Sequence, residues 1–384
     1  MKNLLPTLLL ASGLTGCVFA ELSDLPPAIA TPNNEVDMSD DTSPDVGTAD
    51  MEDMETECNL NPVELTSGGF NHLEVDQLGD TIFYAITSAS GDIKVGRITE
   101  EVDHDILDES YPTTNVRDMA ILALSEDRFL LGVVRNLGAI EVYNCTLNGC
   151  VDIPVDNNPV EAVDFYRDGI PILALTYRDT QTVRYTAYPI NVESNALNEG
   201  VALSLADLDV AGAEISTIGT QKRVVYGAPL FGFKVAQGSM GELDGTECTL
   251  ADRRATTPYI ARSLDDTTTF LARTTDGLMM SDCSVSAEIT PRYPVDFDYI
   301  QLSSNQFFVV WSVGTPNDPV PVLRGAYVDN MEPQSFVDFG ASRVANVRIL
   351  RNGNGIHALF GGPDLTLRYV KTNVIALARC AQTL

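Results

Sequence analysis

The chain is short of positive charge, of histidine and of catalytic signatures, and each shortage removes a class of function. Lys and Arg number 24 against 54 Asp and Glu in 384 residues, a formal net charge of −30. Nucleic-acid binding needs a basic footprint that displaces counterions from phosphate, so this balance argues against a nucleic-acid partner. The three histidines, His72, His104 and His357, have no ligand spacing to the cysteines, and no C-x-x-C pair is present, which leaves a zinc site without its usual donors. No G-x-S-x-G elbow, H-E-x-x-H helix, P-loop or EF-hand loop occurs. The amino-terminal apolar run, residues 4–11 broken by Pro6, is far shorter than the roughly 20 residues a membrane-crossing helix needs.

What that amino terminus has instead is Lys2, the leucines Leu4, Leu5, Leu8, Leu9 and Leu10, and then Leu14-Thr15-Gly16-Cys17. A positive start, a short apolar core and small residues before a cut are the parts of an export signal. The last four residues resemble the lipobox of bacterial lipoproteins at every position. The resemblance implies cleavage before Cys17, whose thiolate accepts a diacylglycerol, and Val18 at the next position implies the outer membrane under the enteric sorting rule. An ordinary secretory signal cut near Ala20 is the competing reading.

Residues 21–57 hold twelve acids, from Glu21 to Glu57, with no Lys or Arg, and are interspersed with Pro26, Pro27, Pro32 and Pro44. Such a segment buries too little apolar surface to offset its ordering entropy, and its like charges push it outward. The expected organisation is therefore a signal at 1–16, a lipidated Cys17 with an acidic tether over 17–57, and a folded domain over 58–384. Once the tether acids and Lys2 are set aside, that domain keeps a formal charge of −19. Among the cations, arginine far outnumbers lysine.

With Cys17 assigned to lipid, six cysteines remain: Cys58, Cys145, Cys150, Cys248, Cys283 and Cys380. An even set in an exported domain points to disulfides. Cys145 and Cys150 flank Thr-Leu-Asn-Gly, a turn sequence, and are expected to bridge locally. Cys58 opens the domain and Cys380 nearly closes it, so a bridge between them would join the chain ends; Cys248 with Cys283 is what then remains.

The domain reads as all-β, in short apolar runs rich in Val, Ile, Leu, Phe and Tyr between turn clusters. One pattern recurs: strand, polar turn, strongly apolar strand, turn, third strand. Its clear copies begin at Met119, Ala162 and Val347, and weaker ones near Phe70, Ile215, Tyr259 and Phe297. A period of about 45 residues is that of a four-stranded propeller blade, which buries its two faces only by stacking on neighbours around a ring. Seven starts predict a β-propeller of seven four-stranded blades, with six or eight as neighbouring counts, since the copies between 200 and 260 are poor. In general architecture this resembles β-propeller lipoproteins, without a WD dipeptide or kelch glycine pair. A pair of β-sandwiches is the rival fold. A ring needs closing, and Asn61-Pro-Val-Glu-Leu is placed to lend a strand to the sheet holding Leu365–Val370 and Val374–Ala378. Val201–Gly212 reads as a loop or edge strand, and Trp311, in an apolar strand, reads as core.

The strands that begin the repeats carry charges: Arg117, Asp118, Asp164, Arg262, Asp296, Asp298 and Arg348. Lining an axis, they would either bind a small ligand or a cation, or pair with one another. Asp152, Asp156, Asn157 and Asn158 form an oxygen-rich stretch where calcium would be sought, although the spacing matches no known loop; no other cofactor is expected. The composite expectation is a non-catalytic, membrane-anchored binding module for an envelope protein or glycan. An exported glycosidase or lyase with carboxylates in the channel is the alternative.

Overall fold

The computed structural model describes residues 62–373 apart from several loops, among them 100–104, 112–115, 206–212, 250–260 and 264–268. In the strands of 105–111 and of 201–263 only the backbone course is described. Cys17, the tether and Cys58, Cys283 and Cys380 fall outside the described residues, as do His104, Asp156, Asn157, Asn158 and Val374–Ala378; Cys248 is described only as a backbone position. All described residues belong to the unit Thr56–Leu384.

The described secondary structure is β throughout, in antiparallel sheets. A short first strand, β1 (Val63–Glu64), precedes sheet 1, made of β2 (Phe70–Leu78), β3 (Thr81–Ser88), β4 (Ile93–Ile98) and β5 (Asp105–Tyr111). Sheet 2 is β6 (Val116–Ala123), β7 (Arg128–Arg135), β8 (Ile140–Thr146) and β9 (Gly149–Ile153). Sheet 3 is β10 (Val160–Asp168), β11 (Ile170–Arg178) and β12 (Val183–Asn191), with β13 (Ala196–Leu197) and β14 (Val201–Leu205) both pairing the far edge of β12. Sheet 4 is β15 (Ala213–Ile218), β16 (Gln221–Ala228), β17 (Gly232–Ser239) and β18 (Glu242–Thr249). Sheet 5 is β19 (Ala261–Ser263), β20 (Phe270–Thr274), β21 (Gly277–Ser281) and β22 (Ser286–Thr290). Sheet 6 is β23 (Pro294–Ser303), β24 (Gln306–Thr315), β25 (Asp318–Asp329) and β26 (Glu332–Ser342). Sheet 7 is β27 (Asn346–Asn352), β28 (Gly355–Gly362) and β29 (Leu365–Asn373), completed by β1.

These sheets form a β-propeller. The first strands stand side by side around an axis: β2 lies against β6 and β27, β6 against β10, β10 against β15, β15 against β19, and β23 against β27. Sheets 5 and 6 share one apolar cluster, from Leu271, Leu278 and Met280 to Phe297, Val309 and Trp311. Each repeat start read from the sequence falls on the first strand of a sheet or, for Tyr259, just ahead of one. Val201–Leu205 is an edge strand, paired Val183↔Leu205 to Ala187↔Val201, and Trp311 is core, 1 % exposed. Cys145 and Cys150 stand opposite one another across β8 and β9 and are bridged.

The core lies between sheets, as the physics of a blade requires. Strand residues alternate faces, so one set packs backward and the other forward. In β24, Phe308 and Val310 join the cluster shared with sheet 7, while Phe307, Val309 and Trp311 join the one shared with sheet 5. Glycine appears where a side chain would block this stacking: a Cβ on Gly132 of β7 would meet Val163 of the next sheet at 2.8 Å.

The ring closes as expected at sheet 7. β1 runs antiparallel to β29, Val63 opposite Tyr369 and Glu64 opposite Arg368. The backbone N–H of Leu65 then donates to the carbonyl of Leu367 at 2.8 Å, and the Leu65 side chain is buried with Phe70, Leu359 and Leu367. The first described strand of the chain thus completes the sheet that holds its last described strand.

Candidate functional site at the propeller axis

A first strand pairs with only one neighbour, its own second strand. Its other edge faces the next blade with unpaired N–H groups, which cannot be left buried without acceptors. Here aspartates on one first strand serve the next. Asp76 Oδ2 accepts the N–H of Ala123 at 2.8 Å, and Asp118 Oδ2 that of Val163 at 2.8 Å. Asp296 Oδ2 accepts the N–H of Val347 and Asp298 Oδ2 that of Ile349, both at 2.9 Å. Asp296 and Asp298 are two residues apart on β23, so both point toward β27 while Phe297 between them packs toward sheet 5.

Two arginines then bind three sheets each. Arg348 of β27 is buried, donates from NH1 to Asp296 Oδ2 at 2.6 Å and to the Val347 carbonyl at 2.7 Å, and forks onto both oxygens of Glu74 on β2. Arg167 of β10 donates to the Ala123 carbonyl of sheet 2 at 2.6 Å and reaches Asp76 of sheet 1 at 2.5 Å. Guanidinium suits both tasks, since its fixed fork holds several acceptors at once.

The electrostatics follow from this crowding. Burial pushes the Asp118 carboxyl up to about 7; the nearby Glu74 charge adds to the rise, and the N–H groups of Val163 and Met119 with Arg117 oppose it. Burial also raises Asp76, against the pull of Arg167. His72, on β2 beside Glu74 and Arg348, is pushed down by burial and held partly up by Glu74 and a hydrogen bond to the Val116 backbone.

Of the seven axial candidates, Asp118, Asp296, Asp298 and Arg348 are members of these seams. Arg117 is exposed and forms an ion pair with Glu161 of β10. Asp164 accepts the N–H of its own neighbour Phe165 at 2.7 Å. Arg262 is on β19 opposite Leu271, with its side chain outside the described residues. Glu74, Asp76, His72 and Arg167 complete the arrangement and were not singled out in the sequence. The available signal was the alternation Glu74-Val75-Asp76, which repeats the spacing of Asp296-Phe297-Asp298. Asp152 is exposed on β9, and among the described residues no group of three His, Cys, Asp or Glu side chains could hold a metal ion.

Chemically, this axis joins blades. The carboxylates of Asp76, Asp118, Asp296 and Asp298 accept backbone N–H groups of the following sheet, and those of Glu74, Asp76 and Asp296 accept guanidinium groups of other sheets.

No family model matches this chain, and no curated protein matches it. Among solved structures it is similar to two chains that share its fold. A chain in the crystal structure of the mitotic checkpoint complex superposes with a TM-score of 0.54 at 10 % identity, over 81 % of this chain and 93 % of that one. Sqt1 of Saccharomyces cerevisiae superposes with a TM-score of 0.52 at 9 % identity, over 81 % of this chain and 98 % of that one. At such identities the likeness shows the fold.

Proposed function

We propose that this chain is a lipid-anchored protein of the cell envelope whose propeller binds a partner protein. The observation that carries the reading is the use made of the axis: Asp76, Asp118, Asp296 and Asp298 hold neighbouring strands, which makes the ring a rigid frame and leaves its loops and rim for recognition. A solved neighbour of the same fold sits in a multiprotein complex, which supports a protein as the partner. Leu14-Thr15-Gly16-Cys17 supports acylation of Cys17, and Val18 supports the outer membrane. The acidic residues of 17–57 then act as a spacer for the domain of 58–384, with Cys58 bridged to Cys380 and Cys248 to Cys283.

The test is a pull-down of the full-length protein from its own envelope beside a Cys17→Ser form. The expected result is a reproducible protein partner for the parent and release of the variant into the soluble fraction. A variant that stays membrane-bound removes the anchor; a parent that captures nothing, or a purified protein that turns over a glycan, removes the binding role.

A further inference from the structure

The seam that closes the ring holds a buried histidine. His357 lies on β28 directly opposite Lys371 of β29, and Leu350 faces it from β27. It shares a face of β28 with Leu359, which packs with Phe70, Leu73 and Tyr84 of sheet 1, so the imidazole is turned toward sheet 1. The residue is 8 % exposed. Its Nδ1 is 2.7 Å from the hydroxyl of Tyr369, and the two rings are stacked, with centroids 5.9 Å apart and planes at 16°. Tyr369 is the residue that pairs with Val63 of β1. The histidine thus rests on the tyrosine to which the closing strand is joined.

Its surroundings suit an uncharged ring. Burial pushes the imidazole down to about 4, the Lys371 ammonium pushes the same way, and the Asp80 carboxylate in the β2–β3 turn opposes them. Asp80 is occupied by the side-chain amide of Asn352, at 2.5 Å, which ties that turn to sheet 7. The other charges of the adjoining strands are directed elsewhere. Arg351 donates to carbonyls of sheet 6, and Arg368 meets Glu64 from the opposite face of β29. On β2, His72 and Glu74 lie with Arg348 at the axis, and Asp76 meets Arg167. Burial pushes the hydroxyls of Tyr369 and of Tyr84 on β3 up to about 12, so both keep their protons. A neutral imidazole can accept the Tyr369 proton or donate its own, whereas a doubly protonated one can only donate. Proton uptake therefore forces the Tyr369 hydroxyl to turn its hydrogen away, and it places a second cation beside Lys371 in a site largely closed to water.

We propose that His357 is a proton-operated latch on the ring: uncharged, it lets sheet 7 close against sheet 1, and on taking a proton from solvent it releases β29 and β1 from that seam. The sign follows from linkage. The folded value lies below that of the free side chain, so the contribution to closure is fully present above about pH 6.5 and is lost as pH falls through 4. Values of 6.5 in the open arc and about 4 in the closed ring make the opening equilibrium about a hundredfold larger at pH 4 than at pH 7. Asp118 has the opposite sign, since its folded value is raised. The seam between sheets 2 and 3 therefore tightens over the range in which the latch lets go. This reading goes beyond partner binding and does not depend on it.

The test is hydrogen exchange, read by mass spectrometry on the full-length protein between pH 7 and pH 4 and corrected for the intrinsic pH dependence of the rates. Residues 365–370 and 63–65 should open about a hundredfold more at pH 4 than at pH 7, while 119–122 of β6 and 307–311 of β24 hold. His357→Gln keeps a partner for the Tyr369 hydroxyl without titrating, and His357→Phe keeps a stacked ring. In both, the rise over 365–370 should shrink to less than about threefold. Lys371→Gln, at an exposed position, removes part of what keeps the imidazole uncharged and should make the rise smaller than in the parent. It decides the matter should both His357 variants already be open at pH 7. Exchange over 365–370 that ignores pH in the parent, a rise of equal size in the parent and the variants, or a rise spread evenly over all sheets overturns the proposal.

Discussion

The carboxylate of Asp118 accepts the backbone N–H of Val163 at 2.8 Å, across the gap between two first strands that share no hydrogen-bonded ladder. One side chain thus does for the inner edge of β10 what a neighbouring strand would do in a continuous sheet. The position is a compromise, because the same packing that brings Asp118 to Val163 removes it from water and sets it near Glu74.

That compromise has a pH signature. The Asp118 carboxyl has its folded value raised to about 7 from 3.8, so the fold binds its proton more tightly than the unfolded chain does. Its contribution to stability is fully present below pH 4 and is lost as pH rises through 7. Asp118→Asn keeps an oxygen that can accept from Val163 and removes the charge. The variant should match the parent near pH 4 and exceed it by about 1–2 kcal/mol at pH 8. Urea denaturation at the two pH values measures this; a variant that is less stable at pH 8 would show the ionised form to be the useful one.

Arg348 is the opposite case, a buried cation whose partners are all supplied. Removing it strands Asp296 and Glu74, since Asp296 Oδ2 and both oxygens of Glu74 receive its protons. Arg348→Met should cost about 3–5 kcal/mol, and adding Asp296→Asn should recover part of that loss by removing the stranded charge. Thermal melts of the single and double variants decide it. Independent, additive losses would mean that the two side chains are not coupled.

Closure of the ring should depend on Leu65, which anchors the short β1 strand by burial and by its N–H to Leu367. Leu65→Ala should destabilise the protein by about 2–4 kcal/mol and raise hydrogen exchange selectively over 365–370. Leu137, 93 % exposed in the turn between β7 and β8, provides the control: Leu137→Ala should change stability by less than about 0.5 kcal/mol. Exchange that rises evenly over all sheets would separate Leu65 from the seam.

The repeat was legible because first and second strands carry the apolar runs that stacking demands, as in Ile121 to Leu131 and Val347 to Phe360. The closing strand was legible too, since Asn61 to Leu65 has the length and apolar content of a strand and sits where a ring needs one. The seams were not. Asp118 is written beside Arg117, but its working partner is Val163, and nothing local predicts that pairing. The excess of arginine, 19 against 5 lysines, was visible without a cause. The structure supplies one. Arg97 donates to the Glu126 carbonyl of the next sheet, Arg128 to that of Val192, and Arg351 to those of Gln301 and Leu302. A guanidinium can span a gap between blades and hold two carbonyls at once, whereas an ammonium is a single point of attachment.

The pairing of β1 with β29 also orders events in time. Glu64 and Arg368, which meet across that pair, are 304 positions apart in the chain. As the polypeptide is made, β1 emerges among the first strands and must wait, unpaired, until β29 follows. Sheets 1 to 6 can form in turn, each on the one before, but the ring stays an open arc until the end. A chain cut short before Leu365 would thus lose more than its missing residues: it would leave two exposed edges, the surfaces on which unfinished β-proteins aggregate.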